Sequence, residues 1–270
     1  MPIASMPMPR GFTSEPQPAA GFTWTHANAG VGAALQCDPL ARHARHLFTS
    51  HDLELRGDAA EWQAIGEAWG VQPSQIRLVK QVHRADVAIV RRGDLRVWGM
   101  PEADAIVTDD PEVAIAVRIA DCAPILLADR TRPVVAAVHA GWRGTVQRAA
   151  LAGVDAMRRE FGSRPADLVA AVGPCLDVCC GEVGDEVVEA FRHAGHDGAG
   201  LDRWFSVGPG GRFHLHLARA NRDQLEAAGL LPEHIHVSRL CTRSYPEVFH
   251  SYRAAGPNAG RMAALIRPLG

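Results

Sequence analysis

A succession of short apolar segments between residues 77 and 138 is the feature that most constrains the fold. The segments are rich in Val, Ile and Ala, have the length of strands, and are separated by turn-forming Gly, Asp and Pro residues. They predict strands at residues 77–83, 86–91, 113–119, 124–128 and 133–138. The last of these is apolar on both faces, which is typical of a central strand covered on each side. This part of the chain is therefore predicted to form a sheet.

Helical periodicity follows the predicted strands. Residues 144–161 place apolar side chains on one face and charged side chains on the other, which predicts an amphipathic helix. A strand at 167–172 and helices at 183–194 and 213–228 are predicted next. The expected fold class is α+β (mixed α/β), with mixed β-sheets and helices packed outside them.

Length and composition indicate one globular unit. The 270 residues contain no internal segment with the composition of a linker, so we expect a single domain at residues 21–270. Residues 1–20 are rich in Pro, Ser and Gly and are expected to be disordered. The 28 Lys and Arg nearly balance the 30 Asp and Glu. This balance argues against a nucleic-acid partner and favours a small molecule.

The sequence also predicts a cellular location. No stretch approaches the ~18 consecutive apolar residues of a membrane span, so no membrane partner is expected. The first residues lack the charged and apolar regions of a secretory signal. We therefore expect a cytoplasmic protein whose six cysteines stay reduced.

Three residues, His83, Cys122 and His139, each close a short apolar segment where polar or Gly residues begin. Strand ends deliver reactive side chains to clefts, so these three could converge on one metal ion. Two imidazoles and one thiolate would leave a zinc ion with an open position, as catalytic zinc requires. The alternative is two hydrogen-bonded histidines and a small buried cysteine, because residues so far apart in sequence form no local signature.

Other candidate residues allow two interpretations each. Arg143 lies in a Gly-containing turn before a helix and could bind phosphate, or it could pair with a carboxylate. Glu182 could be a general base near the metal or an acidic residue favoured at a helix start. Arg253 could contact substrate or form an ion pair. Cys179 and Cys180 are adjacent, so we do not expect them to share a second zinc ion with Cys175.

Two histidine pairs resemble the H-x-H pairs that bind copper in oxidases. His214 and His216 fall within a predicted helix, where positions two apart point in different directions and would not chelate one ion. His234 and His236 precede a strand and are expected at its exposed start. These pairs therefore give little support to a copper site.

Several segments together resemble the signature blocks of one family. The most specific are Lys80-Gln81-Val82-His83, Ala120-Asp121-Cys122-Ala123-Pro124 and His139-Ala140-Gly141-Trp142-Arg143-Gly144, and further blocks are Gly173-Pro174-Cys175, Ser251-Tyr252-Arg253 and Gly260-Arg261-Met262. They resemble the family first described as multicopper polyphenol oxidases, or laccase-domain proteins, and later assigned purine nucleoside phosphorylase and adenosine deaminase activity. The resemblance covers roughly residues 46–266.

The resemblance implies a function and a set of residues. It implies Zn²⁺, with copper less expected, bound by His83, Cys122 and His139. Together with Arg143 these ligands would form the catalytic set, and Gln81, Arg143, Glu182 and Arg253 would bind substrate. The implied partners are a purine nucleoside and phosphate, handled by a monomer or homodimer. Phosphorolysis of adenosine, inosine or guanosine and deamination of adenosine would be the reactions.

Four positions depart from the family's usual pattern. His51 stands where an arginine is usual, Ile119 where a threonine is, Gly181 where a tyrosine is, and His216 where an aspartate is. These departures keep other functions open. One is an amide hydrolase acting on a substrate such as a peptidoglycan precursor, with either zinc or a Cys122 nucleophile. The others are a metal-stabilised nucleoside-binding protein without turnover and the older assignment, a copper polyphenol oxidase.

Overall fold

The computed structural model describes residues 15–26, 30–57, 59–94 and 98–270. These residues contain fifteen strands: β1 (Phe22–Thr25), β2 (Ala34–Cys37), β3 (Ala44–Thr49), β4 (Ile76–Leu78), β5 (Val87–Val90), β6 (Ala105–Thr108), β7 (Ala114–Ile119), β8 (Ala123–Asp129), β9 (Val135–Ala140), β10 (Leu168–Val172), β11 (Glu182–Val183), β12 (Phe205–Val207), β13 (Phe213–Leu215), β14 (Ile235–Val237) and β15 (Met262–Pro268). They also contain eight α-helices: α1 (Asp38–Ala41), α2 (Ala59–Trp69), α3 (Trp142–Val146), α4 (Ala149–Phe161), α5 (Asp185–His193), α6 (Gly198–Trp204), α7 (Leu217–Ala227) and α8 (Tyr252–Ala255). The predicted α+β class is confirmed.

Two six-stranded mixed sheets form the centre of the fold. The first has the order β1-β2-β3-β15-β7-β4 and is antiparallel except for the β4–β7 pair. The second has the order β14-β10-β8-β9-β6-β5, with a parallel pair at each edge and antiparallel pairs between them. A third, three-stranded sheet pairs β11, β13 and β12.

The two large sheets pack face to face and carry helices on their outer faces. Phe48 and Val117 of the first sheet meet Leu126 and Ala137 of the second in one apolar cluster. On the other face of the second sheet, alternate side chains such as Ile125 pack under α4 and α7, while α2 covers the first sheet. All six residues of β9 are buried, as expected for a central strand. The chain therefore forms four layers, helix on sheet on sheet on helix.

The predicted helix at 144–161 is wrong in one respect, because it is two helices. α3 ends at Val146 and α4 begins at Ala149. Between them Arg148 adopts a left-handed φ of 60°, and its guanidinium donates to the carbonyls of Ala194 and Gly195. The apolar spacing continues through this break, so periodicity alone does not reveal it. The helix that follows the His139 turn is consequently only five residues long.

The predicted helix at 213–228 is wrong at its start. Residues 213–215 form β13, which pairs with both neighbours in the small sheet, and α7 begins only at Leu217. His214 therefore lies on a strand, where its Nδ1 is 2.7 Å from the carbonyl oxygen of Val178. His216 is the residue that precedes α7, and its backbone N–H donates to Trp204. The two histidines are therefore not separated by helical geometry as predicted.

Other described segments complete the comparison with the predictions. Residues 1–14 of the segment predicted to be disordered lie outside the described residues. Next to them, the carbonyl of Pro16 accepts a hydrogen bond from the Trp24 indole, and Ala19 donates to Ser238. No helix in the described part of the chain has the length and apolar character needed to cross a bilayer.

The connections between the two large sheets position the site. The chain passes from the first sheet to the second between β4 and β5, and again between β7 and β8. His83 lies in the first of these crossings and Cys122 in the second, while His139 lies near the end of β9. Two residues in the crossings, His83 and Asp121, have left-handed φ values of 60° and 91°. Such strained conformations in non-glycine residues persist where surrounding contacts impose them, often at functional sites.

Candidate metal centre

The structure brings His83, Cys122 and His139 together. One donor atom from each residue lies within 4.8 Å of the donor atoms of the other two. The two imidazole rings are 4.9 Å apart between centroids and nearly perpendicular, at 82°. His139 is buried whereas His83 is exposed, so the cluster reaches from the protein interior to solvent. Such an arrangement can hold one cation with a coordination position open to solvent.

Asp104 orients two of these side chains. It is fully buried, and one carboxylate oxygen lies 2.8 Å from Nδ1 of His139. The same carboxylate accepts hydrogen bonds from the backbone N–H groups of Val82, His83 and Arg84, at 3.1, 3.0 and 2.7 Å. The first contact leaves Nε2 of His139 free to face the cluster. The backbone contacts hold the turn that presents His83.

The three side chains change one another's ionisation. Burial opposes ionisation of the Cys122 thiol, but the charge of His139 and hydrogen bonds from both histidines outweigh it and lower its pKa to about 6. Burial likewise opposes protonation of His139, but the Cys122 thiolate and the Asp104 carboxylate raise its pKa to about 9. Cys122 is therefore poised as a thiolate, the form that binds metals and attacks electrophiles.

Gly141 packs directly against the Cys122 side chain. A Cβ atom on this residue would lie 2.6 Å from Sγ of Cys122 and 3.5 Å from the His83 ring. Its φ of −71° is accessible to any residue, so glycine is needed here for close approach rather than for backbone freedom. The position of the sulfur depends on this missing side chain.

Gly141→Ala is expected to weaken metal binding by roughly 10- to 100-fold, because the methyl group displaces the Cys122 sulfur. Titration of the purified variant with Zn²⁺ against a competing chelator measures the change. Gly153→Ala is the matched control, since its Cβ would lie 2.8 Å from a methyl of Val138 in the core of the second sheet. The control should lose thermal stability but keep its metal affinity. Equal losses of metal affinity in both variants would contradict the assignment.

A cavity of about 840 Å³ opens above the cluster. It is lined by the three candidate ligands and by many cationic side chains, namely Arg56, Lys80, Arg118, Arg143, Arg253 and Arg261. Asp121 is the acidic residue among those that line it, and its two oxygens already accept from Thr242 and from the backbone of Arg253, each at 2.6 Å. The cavity is consequently electropositive and suits an anionic ligand.

Two of the positive charges that line the cavity, those of Arg118 and Arg261, lie close together. Burial and the neighbouring Arg261 both lower the pKa of the Arg118 guanidinium. Arg118 donates at 3.4 and 3.5 Å to the carbonyls of Leu55 and Arg56, and Arg261 donates to its own neighbours. Within the described ranges, neither guanidinium has a carboxylate within ion-pair distance. Two adjacent cations without a carboxylate favour binding of a phosphate-like anion.

The predicted substrate residues differ in position. Arg143 lines the cavity on α3, with its guanidinium 4.1 Å from the Trp142 ring. Gln81 also lines the cavity, but its side-chain amide is already hydrogen-bonded to the backbone of Arg118. Its Nε2 donates to the carbonyl at 2.7 Å, and its Oε1 accepts from the N–H at 2.8 Å. The Gln81 amide therefore joins the first crossing to β7.

Arg253 and Glu182 meet through the backbone. The Arg253 guanidinium lines the cavity and donates to the carbonyls of Cys180 and Glu182, at 3.2 and 2.8 Å. The Glu182 side chain is half exposed, lies outside the residues that line the cavity, and approaches Arg212 at 3.6 Å. Glu182 begins β11 rather than a helix.

Gly181, where a tyrosine is usual, lines the cavity. A Cβ atom here would lie 2.7 Å from the carbonyl oxygen of Leu215 and 3.0 Å from that of Asp177. The backbone is thus packed too closely for any larger residue.

The other departures lie away from the cavity wall. His51 places Nδ1 3.2 Å from the carbonyl oxygen of Pro246, and Ile119 is buried at the end of β7. His216 precedes α7 and is half-buried. None of the three is among the residues that line the cavity.

Sequence reasoning missed Asp104, Arg118 and Arg261 as site residues. Asp104 directly precedes the apolar start of β6, and a carboxylate at the edge of such a run was a signal of a buried, hydrogen-bonded charge. Arg118 interrupts an otherwise apolar strand, which was a comparable signal. Arg261 stood within a recognised block without an assigned role.

Comparisons with known proteins show which family the chain belongs to. The family described as multi-copper polyphenol oxidoreductase laccase matches residues 56–268. A purine nucleoside phosphorylase of Deinococcus radiodurans is 39% identical over 205 residues, covering 75% of this chain and 74% of that protein. An adenosine deaminase, RL5, from an unknown prokaryotic organism is 38% identical over 199 residues, covering 71% and 74%.

A further relative and a solved structure extend the comparison. A purine nucleoside phosphorylase of Bacteroides thetaiotaomicron is 36% identical over 163 residues, and the chain spans only 60% of that relative's length. The crystal structure of YlmD from Geobacillus stearothermophilus superposes with a TM-score of 0.77 at 28% identity, covering 88% of this chain and 96% of that one. The matched region contains all three candidate ligands, and the chain belongs to the multi-copper polyphenol oxidoreductase laccase family.

Proposed function

We propose that this chain is a zinc-dependent purine nucleoside enzyme that performs phosphorolysis of adenosine, inosine or guanosine and deaminates adenosine. The observation that carries the proposal is the convergence of His83, Cys122 and His139 beside a cation-lined cavity of about 840 Å³. That volume lies within the range of small-molecule sites, roughly 300–1,000 Å³. Two relatives are named purine nucleoside phosphorylase and another is named adenosine deaminase, and these names support the same substrate class.

The donor set fits Zn²⁺. Two imidazoles and a thiolate are common zinc ligands, and three protein ligands leave the open position of a catalytic site. Copper also accepts two histidines and a cysteine. An enzyme with several copper ions needs several ligand clusters, and in the described part of the chain the second cluster contains cysteines alone. This composition favours zinc at the His83, Cys122 and His139 site.

The protein side chains divide the work of the proposed reactions. Asp104 keeps His139 in the tautomer that presents Nε2, and Arg118, Arg143 and Arg261 bind and orient phosphate. Zn²⁺, when bound, supplies Lewis acidity that makes water a stronger acid and a better nucleophile at neutral pH. The partly buried position of Cys122 keeps bulk water from one side of the site.

The test uses purified protein whose metal content is known. Incubated with adenosine and phosphate, it should release adenine, ribose 1-phosphate and inosine, and with inosine it should release hypoxanthine. Omission of phosphate should abolish ribose 1-phosphate but leave the conversion of adenosine to inosine. If a zinc-loaded preparation binds nucleosides and makes no product, the chain is a binding protein instead.

A thiol hydrolase is the second candidate. The observation that favours it is the contact of Cys122 with two imidazoles, which is the arrangement of many cysteine nucleophiles. Its substrate would be an amide such as a peptidoglycan precursor. Zinc chemistry at the same site would also serve amide hydrolysis, so the metal dependence decides the mechanism.

Removal of metal by a chelator is expected to abolish activity, and added Zn²⁺ should restore it. Copper should not restore nucleoside turnover, and the zinc protein should not oxidise phenols. Iodoacetamide should inactivate the chelated protein faster than the zinc-loaded one, because a zinc ligand is protected from alkylation. Activity that survives chelation and disappears on alkylation would favour the thiol hydrolase.

The proposed function also implies a cellular location and an oligomeric state. All six cysteines are free thiols, as a reducing cytoplasm requires. We place the enzyme there as a monomer or homodimer.

A further inference from the structure

Three cysteines outside the proposed active site form a second cluster of donor atoms. The sulfur atoms of Cys179, Cys180 and Cys241 all lie within 4.8 Å of one another. We propose that this cluster, the thiol site, binds a soft, thiophilic cation such as Zn²⁺ in a structural role. Thiolates are the preferred protein ligands of such cations.

The backbone holds the two segments of the thiol site in register. Cys175 forms a parallel bridge with Cys241, because its N–H donates to Leu240 at 3.2 Å and its carbonyl accepts from Thr242 at 3.1 Å. Cys175 itself is buried and is not a member of the cluster. The sequence places Cys175 nearest to Cys179 and Cys180, but in the structure the third member of the cluster is Cys241.

A tight turn presents the adjacent cysteines. Cys180 donates its backbone N–H to the carbonyl of Asp177 at 2.9 Å, which closes the turn that begins there. The two neighbouring sulfur atoms thus approach a third one from a separate segment. The objection that adjacent cysteines cannot serve one ion therefore does not apply to this set.

Ser244 supplies a fourth donor. Its hydroxyl oxygen lies 3.3 Å from Sγ of Cys179 and 3.5 Å from Sγ of Cys180. Three thiolates supply three of the four positions around a tetrahedral zinc ion, and the Ser244 hydroxyl beside two of them is a weaker oxygen donor for the fourth. Cys241 is buried, so it offers a ligand held in place by its surroundings. Cys179 is exposed, so an ion can reach the site from solvent.

The surroundings supply balancing charge. Three thiolates around a divalent cation carry a net charge of about −1. The Arg253 guanidinium, which donates to the Cys180 carbonyl at 3.2 Å, brings a positive charge to the same segment. Binding converts three thiols into thiolates and releases three protons, so the ligation is balanced without an oxidant.

The structural role of the thiol site follows from its position next to the wall of the active-site cavity. Gly181 follows Cys180 directly and lines the active-site cavity, as does Arg253. An ion at the thiol site would join this segment to residues 241–244 and fix one wall of the cavity. We therefore expect metal at the thiol site to raise thermal stability rather than to take part in turnover.

A count of metal ions tests the proposal independently of activity. Reduced apoprotein is loaded with excess Zn²⁺, desalted, and analysed for ions per chain. The wild type should retain two ions, Cys179→Ser/Cys241→Ser should retain one, and Cys122→Ala should retain the other. Cys175→Ala is the matched control, because it removes a neighbouring buried thiol that lies outside the cluster, and it should retain two. A single wild-type ion that is lost in Cys122→Ala and kept in the double variant, or two ions in the double variant, would overturn the proposal.

Two further measurements guard against misfolding and oxidation. Cys179→Ser alone alters only an exposed side chain and should weaken the second ion at least 10-fold. Co²⁺ added to Cys122→Ala should bind at the thiol site and give strong sulfur-to-metal charge-transfer absorption. The triple variant Cys122→Ala/Cys179→Ser/Cys241→Ser should not show this absorption. A reduced wild type that binds one ion and forms a Cys179–Cys241 disulfide in air would identify the cluster as a redox pair and overturn the metal site.

Discussion

Cys122→Ala is expected to lose the active-site zinc ion and nearly all nucleoside turnover. The substitution removes the anionic ligand and leaves two imidazoles, one of them exposed, to bind the cation. Loss of an outer-shell partner already costs about 10- to 100-fold in metal affinity or activity, and loss of a direct ligand should exceed that range. Metal analysis beside kcat/KM for adenosine and inosine measures both effects.

Two variants make the Cys122 result interpretable. Cys37→Ala removes another buried thiol, in the first sheet and outside the cavity lining, and should keep both zinc and activity. Cys122→Asp replaces the thiolate by a carboxylate, which also binds zinc but is no substitute for a thiol nucleophile. Partial activity in Cys122→Asp would support the zinc mechanism. Full metal content in Cys122→Ala would show that the cysteine is not a ligand.

Asp104→Asn is expected to weaken zinc binding by about 10- to 100-fold and to destabilise the fold. The carboxylate accepts from three backbone N–H groups and from His139, and an amide nitrogen in place of one oxygen leaves a donor facing a donor. A buried donor without an acceptor costs about 1–3 kcal/mol. Zinc titration and urea unfolding at neutral pH measure the two losses.

The contribution of Asp104 also has a predictable pH dependence. Burial raises the pKa of its carboxyl, but hydrogen bonds from His139 and from backbone N–H groups outweigh it and lower that pKa below the usual value. The stabilisation is therefore present at neutral pH and is lost as the pH falls through the lowered pKa. Asp129→Asn is the matched control. Asp129 is also buried, but it lies at the end of β8 that is remote from Cys122. A similar loss of zinc affinity in the control would contradict the positioning role of Asp104.

Much of the sheet architecture could be predicted from the sequence because it depends on local patterns. The run from Val135 to Val138 is apolar at every position, and it forms a central strand. His83, Cys122 and His139 were candidates because each closes such a run, where a side chain leaves the core for a cleft. The predicted strand at 77–83 ends at Leu78, and the three residues meet because the two crossings between the large sheets bring His83 and Cys122 beside the end of β9.

The missing elements depended on long-range contacts. The break at Arg148 follows from bonds to carbonyls some 46 residues away, so apolar spacing alone predicted one continuous helix. Residues 213–215 form a strand because β11 and β12 flank them, although their sequence merges with the helix that follows. Asp104 carried no motif, and its function became visible only from the four groups that its carboxylate contacts.

A cation at the proposed site of His83, Cys122 and His139 would also stabilise the contact between the two large sheets. His83 and Cys122 lie where the backbone passes from one sheet to the other, and His139 belongs to the second sheet. A cation bound by all three would therefore join the two sheets. An unfolded chain cannot gather three such distant donors without a large loss of entropy. A cation bound at this site would therefore stabilise the native state, and at a thousandfold excess over its Kd it would add about 4 kcal/mol to the free energy of unfolding. Amide hydrogen exchange along β7 and β8 should slow accordingly when zinc is added.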